Sequence, residues 1–539
     1  MKTIHPINKY GLGLLLFALL FSSCKKLEKA PEDQIPMDAT AVMAVNTSGL
    51  FTKIAIDQIG ELSVESVFGG EGANRPPADP DSDEARWKNL IENPDQLGVD
   101  ILEDAYLIAG EQKGEKPAYL AALMVMSDAQ QFQTYLNGKP PRPLQGDDRE
   151  GKGFTYRLLE DGRALIGWNT HFALYLADQT NGGQDLAEEA SYILNLAPDR
   201  SMTEREAFRN FQERSKDIGL FVNTQGIKKA PKWMDELEAL SGFVEFTDGE
   251  ASVAITHHLS EPLKEESFLK QTALQPAFDY VDFSDPVAFA NLQYSSRFLA
   301  NILQEAPSLR KTFANTLEGS SVSMQDLQKL FTGKLFLGCT GVTMLEKEVV
   351  EMEMDEEFNM VEKTVIKEVP TPELVIAAEA PENAWNSVMK GLTQQGIMEE
   401  EGSLSYKTAF PDMLGNTWHA HLEVLPEHLL VVNTPEKPSP QAEETPMFAE
   451  SLLNEYPSAA YVNLPRLVEL LPVAALGKNQ EVFVQYLDSV EMGMKRGKSD
   501  KELEMHFSLK LQNQERNALV QLIALSKEWQ GGVPAELPQ

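Results

Sequence analysis

An internal repeat constrains the fold of this chain more than any other feature of its sequence. An apolar strand pattern that ends in asparagine occurs four times, at Asn46, Asn223, Asn291 and Asn463. The first and third asparagines are 245 residues apart, and the second and fourth are 240 apart. Such nearly equal offsets predict that one longer unit was copied, with Asn46 matching Asn291 and Asn223 matching Asn463.

Other landmarks follow the same spacing. Two similar strand-helix units place Phe132 and Trp385 253 residues apart. Two similar strand pairs place His171 and His428 257 residues apart. Each series also ends with a hairpin pattern in which apolar and polar residues alternate. The whole series, and not one motif alone, is therefore predicted to be repeated.

The repeat defines the predicted domains. The two copies cover residues 35–262 and 280–512, and residues 513–539 are predicted to form a C-terminal helix and tail. Each copy combines helices of 3.6-residue periodicity with short apolar or alternating strands. Frequent hairpin patterns favour largely antiparallel sheets flanked by helices. The predicted fold class is α+β, with two tandem pseudo-repeated domains.

The N-terminus carries a secretion and anchoring signal. Residues 1–23 contain two lysines and an apolar run at 10–21, which is too short to span a bilayer. The sequence Phe-Ser-Ser-Cys that ends at Cys24 resembles a bacterial lipobox, which implies cleavage before Cys24 and attachment of lipid, including palmitate-type acyl chains, to it. An ordinary secretory signal followed by a chance cysteine is the alternative. Residues 24–36 contain two prolines and are predicted to be a tether.

Charge and composition limit the partners. The chain has 47 Lys and Arg residues against 82 Asp and Glu residues, a formal net charge of −35. A surface of this charge repels phosphate backbones, so nucleic acid is excluded as a partner. The hydrophobic fraction of 42% is typical of a folded protein. With the lipobox, these properties predict an outer-membrane location in the cell envelope, and either a periplasmic or a surface-facing orientation is compatible with them.

Two insertions distinguish the copies. Residues 69–84 form a loop rich in Gly, Pro and Asp, and residues 346–368 are predicted to form a long projecting hairpin with an acidic tip. Alternation places Val350, Met352 and Met354 on one face of this hairpin and acidic residues on the other. One hypothesis is that the hairpin contributes to binding another envelope protein or ligand; the alternative is that it covers its own domain.

Motifs for catalysis or metal binding are incomplete. Asp79, Asp81 and Asp83 match the first three positions of a calcium loop, but Glu84 occupies the required glycine position and Leu90 the closing acidic position. A solvated acidic loop is therefore predicted there, with cation binding as the alternative. No Gly-x-Ser-x-Gly nucleophile motif occurs. No catalytic residue, cofactor or metal ligand is predicted.

Histidine and cysteine are the usual zinc ligands. His419 and His421 share one strand face, whereas His428 is predicted to lie far from both across a hairpin. A zinc site needs three or four convergent ligands, so this set does not predict one. Cys339 lies in an apolar strand pattern, where an inert buried thiol is expected.

One stretch resembles a known family. Residues 35–56 (IPMDATAVMAVNTSGLFTKIAI), followed by a strand and an Asp-Ala-x-x-Phe helix start at Asp128, resemble a Bacteroidota lipoprotein family catalogued as a domain of unknown function. The resemblance implies a cell-envelope lipoprotein. The family supplies no activity, substrate or catalytic residue.

Three functional hypotheses follow. The first is a non-enzymatic envelope lipoprotein that presents a binding or scaffolding surface. The second is a hydrolase of envelope or extracellular polymers, whose site would be assembled from dispersed carboxylates. The third is a cation-dependent carbohydrate-binding or adhesion module that uses the acidic insertions. The lipobox and the absence of a catalytic motif favour the first.

Overall fold

The computed structural model of the protein describes most of the chain. The described residues are 30–58, 97–113, 116–138, 146–159, 162–180, 185–214, 216–227, 237–262, 285–293, 334–354, 360–379, 382–411, 417–425, 428–433, 447–470 and 480–529. Cys24 and the insertion at 69–84 lie outside these ranges, as do the hairpin tip at 355–359 and the tail after 529.

Twenty-two strands lie in the described ranges. Those before residue 280 are β1 (Ala41–Val45), β2 (Ala105–Ala109), β3 (Gln112–Lys113), β4 (Lys116–Pro117), β5 (Tyr119–Val125), β6 (Arg149–Glu150), β7 (Thr155–Leu159), β8 (Ala164–Trp168), β9 (Phe172–Asp178), β10 (Ile218–Asn223), β11 (Leu237–Thr247) and β12 (Glu250–Leu259). Those after it are β13 (Ala288–Gln293), β14 (Lys334–Met354), β15 (Met360–Glu379), β16 (Met398–Gly402), β17 (Ser405–Pro411), β18 (Thr417–Val424), β19 (His428–Val432), β20 (Ser458–Asn463), β21 (Leu487–Arg496) and β22 (Glu502–Leu511).

Nine α-helices lie in the same ranges. They are α1 (Thr47–Gln58), α2 (Ala129–Asn137), α3 (Leu186–Leu194), α4 (Glu206–Glu213), α5 (Glu382–Gln394), α6 (Met447–Glu455), α7 (Leu464–Leu470), α8 (Gln480–Tyr486) and α9 (Ala518–Trp529). None of the helices in the described ranges is long and apolar enough to cross a membrane. The combination of helices with a large antiparallel sheet confirms the α+β class.

Local sequence explains where several helices begin. Asp128 caps α2, because its carboxylate accepts hydrogen bonds from the backbone N–H groups of Gln130 and Gln131 at 2.9 and 3.0 Å. Asp185 caps α3 in the same way. The helix start expected at Asp128 is therefore confirmed.

Twenty of the strands form one antiparallel sheet. Outward from β12, the strands of the first half lie in the order β12-β11-β10-β1-β2-β5-β9-β8-β7-β6. Outward from β22, those of the second half lie in the order β22-β21-β20-β13-β14-β15-β19-β18-β17-β16. If the ten sheet strands of each half are counted along the chain, the two halves have the same spatial order.

The two half-sheets join through β12 and β22. These strands pair antiparallel over nine positions, from Glu250 opposite Lys510 to His258 opposite Glu502. The sequence patterns did not predict this junction. Each half-sheet is thereby extended by the other, so neither has an edge at this position.

Helices pack on both faces of the sheet. The front face carries α3, α4 and α6, which contribute Ile193, Phe208 and Leu452 to two large buried cores. The back face carries α2, α5, α7, α8 and α9, which pack near its outer wings and at one end. The sheet is therefore the central layer of the molecule.

The ladder register corrects one of the predicted matches. Asn223 and Asn463 both end their strands and lie opposite the residue after a β-bulge in the next strand, Ala239 and Ser489 respectively. Asn291, in contrast, lies opposite Ala459, the position that Ala44 and not Asn46 occupies in the first half. The predicted Asn46–Asn291 match is wrong by two residues, because a strand-ending asparagine does not by itself fix register.

Gly493 in β21 provides a test of the packing between α6 and the sheet. A Cβ atom at this position would overlap the ring of Tyr456. We expect Gly493→Ala to destabilise the protein by about 1–3 kcal/mol through overpacking. Gly402→Ala is the control, because no atom lies within 4 Å of its added Cβ. Thermal unfolding checks both; equal midpoints for the two variants would contradict the packing.

Candidate functional site

A polar strip lies on the front face where the two halves join. Successive front-face positions of β12 and β22 carry polar or charged side chains at all but one position, namely Glu250, Ser252, Thr256, His258, Glu502, Glu504, His506, Ser508 and Lys510. The strip lies between the apolar core of the first half and that of the second. Alternation along both strands thus places polar groups where the two cores meet.

A cavity of about 420 Å³ lies over this strip. Its lining comes from both halves and includes Arg214, Phe243, Tyr456, Lys495 and Glu504. This volume lies within the usual range for small-molecule sites. We call this cavity, with its lining, the junction cleft.

Arg214 links the two halves across the junction cleft. It follows α4, and its Nη1 donates hydrogen bonds to Thr256 Oγ1 at 3.2 Å and to Glu504 Oε1 at 3.1 Å. Its Nη2 lies 3.8 Å from Glu502 Oε2. Both carboxylates belong to β22, so one guanidinium from the first half neutralises two acids of the second.

Tyr456 forms the opposite wall of the junction cleft. Its ring stacks on His506 with 5.8 Å between centroids, and Lys495 Nζ lies 4.7 Å from the Tyr456 centroid. Lys495 also donates a 2.8 Å hydrogen bond to Glu455, and this bond lowers the pKa of the Glu455 carboxyl. The wall is therefore held by ring stacking and by an ion pair.

Ser241, His258 and Glu502 lie side by side in the spatial order serine, histidine, acid that a hydrolase triad has. Ser241 Oγ lies 2.9 Å from His258 Nε2, but His258 Nδ1 is 3.8 Å from Glu502 Oε1, beyond hydrogen-bond distance. Burial lowers the pKa of His258. Ser241 is only 2% exposed and is not part of the cleft lining. The hydroxyl is closed to substrate, and the interaction links strands β11 and β12.

The back face has a different character. Seven of its large apolar side chains are 37–47% exposed, namely Leu107, Leu120, Tyr175, Leu220, Leu292, Leu337 and Met492. Neighbouring residues in the same strands, such as Tyr106, Phe221 and Phe336, are buried in the front cores. Because side chains alternate along a strand, the exposed set points to the opposite side of the sheet.

Cross-strand pairing arranges these side chains in rows. In the first half, Tyr175 lies opposite Ala122, which lies opposite Leu107, and the row continues through Met43 to Leu220. In the second half, a row runs from Leu337 through Ala290 and Ala460 to Met492. Directly opposite residues share a face, so each row is one continuous apolar strip.

Charge is nearly absent from this strip. From β5 through β2, β1, β10, β11, β12, β22, β21, β20 and β13 to Leu337 in β14, the paired back-face positions carry no Asp, Glu or Lys. His257 and Arg496 are the ionisable residues among these described positions. Antiparallel sheets with a solvated face are commonly polar on that side, so this composition is typical of a covered face.

Helices form walls around the strip. On one wing, Phe132 of α2 packs edge-on against Trp168 with 5.8 Å between centroids. On the other wing, Trp385 of α5 packs with Leu422 and Leu429. At one end, α8 and α9 pack near Leu509. We call the apolar strip, with these walls, the back-face trough.

The predicted anchor and calcium-like loop cannot be placed. Cys24, Asp79, Asp81 and Asp83 lie outside the described residues. Within the described ranges, no group of three or more His, Cys, Asp or Glu residues is arranged to hold a metal ion.

His421, His428 and the second cysteine, Cys339, lie within the described ranges. His421 is buried with its Nδ1 3.1 Å from Glu401 Oε2, while Val432 and not His428 lies opposite it in the next strand. The thiol of Cys339 is half-buried, and burial raises its pKa. Cys339 is therefore less enclosed than the apolar pattern predicts.

The predicted hairpin region contains two long paired arms. Strands β14 and β15 pair from Leu335 opposite Ala378 to Met354 opposite Met360. The register places Glu351 opposite Lys363. Met360 and Ile366 are 56% and 69% exposed.

Arg214 provides a test of the junction. We expect Arg214→Gln to destabilise the protein by about 1–3 kcal/mol, because it leaves the buried Glu502 carboxylate without its cation. Lys216→Gln is the matched control; the Lys216–Glu245 pair is largely exposed, so its loss costs less than about 1 kcal/mol. Thermal unfolding at pH 7 checks this order, and a larger loss for Lys216→Gln would contradict it.

The solved structures that resemble this chain do so weakly. No curated protein matches the chain. Crystal form IV of TP0453 is similar at 12% identity and a TM-score of 0.27, over 44% of this chain and 83% of that chain. Crystal form III of TP0453 is similar at 11% identity and a TM-score of 0.26, over 47% of this chain and 86% of that chain.

A family model covers much more of the sequence. It is described as a domain of unknown function (DUF4836) and matches residues 32–357. This range begins within the 3₁₀ helix Pro31–Gln34, contains almost all of the first half and β13, and ends just after β14, so it is more than half of the chain. The protein therefore belongs to the DUF4836 family.

Proposed function

We propose that this protein is a lipid-anchored binding protein of the bacterial cell envelope and not an enzyme. The back-face trough carries the proposal, because a large, nearly uncharged face on a chain of net charge −35 is typical of a surface that binds an apolar partner. The Phe-Ser-Ser-Cys sequence ending at Cys24 supports an outer-membrane lipoprotein of the kind found in Bacteroidota.

The magnitude of the hydrophobic effect supports a binding role. Full burial of a large apolar side chain contributes about 1.5–3 kcal/mol. Each of the seven trough side chains retains 37–47% of its exposure, so covering one gains roughly 1 kcal/mol. Covering the set is therefore enough to support association after the entropy cost of binding.

The junction cleft supports a non-enzymatic role. Arg214, Lys216 and Lys495 each pair with a carboxylate of the protein itself. Ser241 is buried beside His258, out of reach of a substrate. The charged groups at the junction thus act on one another: Arg214 joins the two halves, whereas Lys216 pairs with Glu245 within the first half and Lys495 pairs with Glu455 within the second.

Gene duplication is our proposal for the origin of the body. The identical strand order of the two halves supports tandem repeats at 35–262 and 280–512. The matching bulges before Ala239 and Ser489 support the same origin. Because Asn46 does not match Asn291, the two halves correspond in their strand pairing but not at every strand end.

The anchor is tested by changing each cysteine in turn. We expect Cys24→Ala to abolish lipid attachment and leave the protein unprocessed or soluble, whereas Cys339→Ala retains the lipid. Metabolic labelling of growing cells with a clickable fatty acid measures this directly. Equal labelling of wild type and Cys24→Ala would refute the anchor.

A further inference from the structure

We propose that the back-face trough binds the acyl chains of individual phospholipid molecules. This inference rests on the proposed binding function and names its ligand. Four features of the trough carry it: its scarcity of hydrogen-bonding groups, the alternation of small and large side chains on its floor, its walls, and the position of its two ionisable residues.

The two apolar rows of the floor offer few directional contacts, the Tyr175 hydroxyl being their one polar side-chain group. Its backbone N–H and C=O groups are used in the ladders, and its side chains in the two apolar rows are Ala, Leu, Met and Tyr. A folded protein partner typically makes one hydrogen bond per 100–200 Å² of interface. Hydrocarbon needs none, so an acyl chain fits this floor better than a polar surface does.

The alternation of small and large side chains on the floor suits the narrow acyl chains of a lipid. Ala122 lies between Tyr175 and Leu107, and Ala290 and Ala460 lie between Leu337 and Met492. Small residues between large ones create depressions one or two side chains wide. Flexible Met side chains adapt to the irregular shape of an acyl chain.

The walls limit which partners can reach the floor. Helices α2 and α5 pack on the same face of the sheet as the trough, on its two wings. A helix with its side chains is about 10 Å in diameter, so the floor is recessed by roughly that depth. A flat bilayer or the flat sheet of a second copy would meet the helices first, whereas one lipid molecule can enter.

The ionisable residues occupy one end of the floor. His257 lies opposite Leu503, which lies opposite Arg496, so both ionisable residues belong to one row. Arginine is well suited to phosphate, to which it can donate two hydrogen bonds. A phospholipid can therefore place its phosphate at this row while its acyl chains extend over the apolar rows.

The test uses the full mature chain with Cys24→Ser, which carries no lipid of its own. The probe is phosphatidylcholine with a fluorophore on one acyl chain, at a concentration where it is monomeric. We expect saturable binding with a rise in fluorescence. Leu220→Asp should weaken binding by about tenfold, because a charge on the floor must be desolvated. Absence of binding by wild type overturns the inference.

Matched variants distinguish the trough from other surfaces. Leu102→Asp is the control, since Leu102 is 63% exposed but lies outside the sheet. It should bind the probe within twofold of wild type, and thermal unfolding verifies that both variants are folded at the assay temperature. Equal affinity of the Leu220→Asp and Leu102→Asp variants would show that the probe binds elsewhere.

Two further measurements separate the alternatives. Arg496→Gln should weaken the phosphatidylcholine probe several-fold and leave a diacylglycerol with the same labelled chain unchanged. Binding only to intact phosphatidylcholine vesicles, or a dimer that Leu220→Asp dissociates, would overturn the inference in favour of a bilayer or a second copy. Because this chain lacks the anchor, the result is independent of the fatty-acid labelling of Cys24.

Discussion

The pairing of β12 with β22 is the interaction on which the rest of the structure depends. It joins two half-sheets into one and removes an edge from each. It also fixes which side chains of the β11–β12 and β21–β22 hairpins lie on the front face. Arg214, which follows α4 of the first half, then reaches two carboxylates of β22 in the second.

The two faces of this sheet differ in the distribution of polar and charged side chains. At the front, polar side chains of the junction strands lie between two apolar cores, and Arg214 donates hydrogen bonds to two of them, Thr256 and Glu504. At the back, the central strands present almost no charge, although the chain as a whole is strongly acidic. A face without charge on so acidic a chain is the observation behind the proposed apolar contact.

Local sequence patterns predicted much of the fold, but they did not predict which distant strands pair. The Asp128 cap and the α+β class could be predicted because they depend on nearby residues. The junction could not, since nothing in β12 specifies its partner. The back face had a signal that was missed: Ala41–Val45 and Tyr119–Val125 are apolar at nearly every position, which is typical of strands covered on both faces.

The most direct test of the junction is a disulfide across it. Ser252 lies opposite Ser508, and cysteines at directly opposite positions of an antiparallel pair are close enough to bond. The account predicts that mild oxidation links the Ser252→Cys/Ser508→Cys variant, as peptide mass mapping would show, while Ser252→Cys/Ser489→Cys, with Ser489 two strands away in β21, stays reduced. No link in the first variant, or equal yields in both, would contradict the joined sheet.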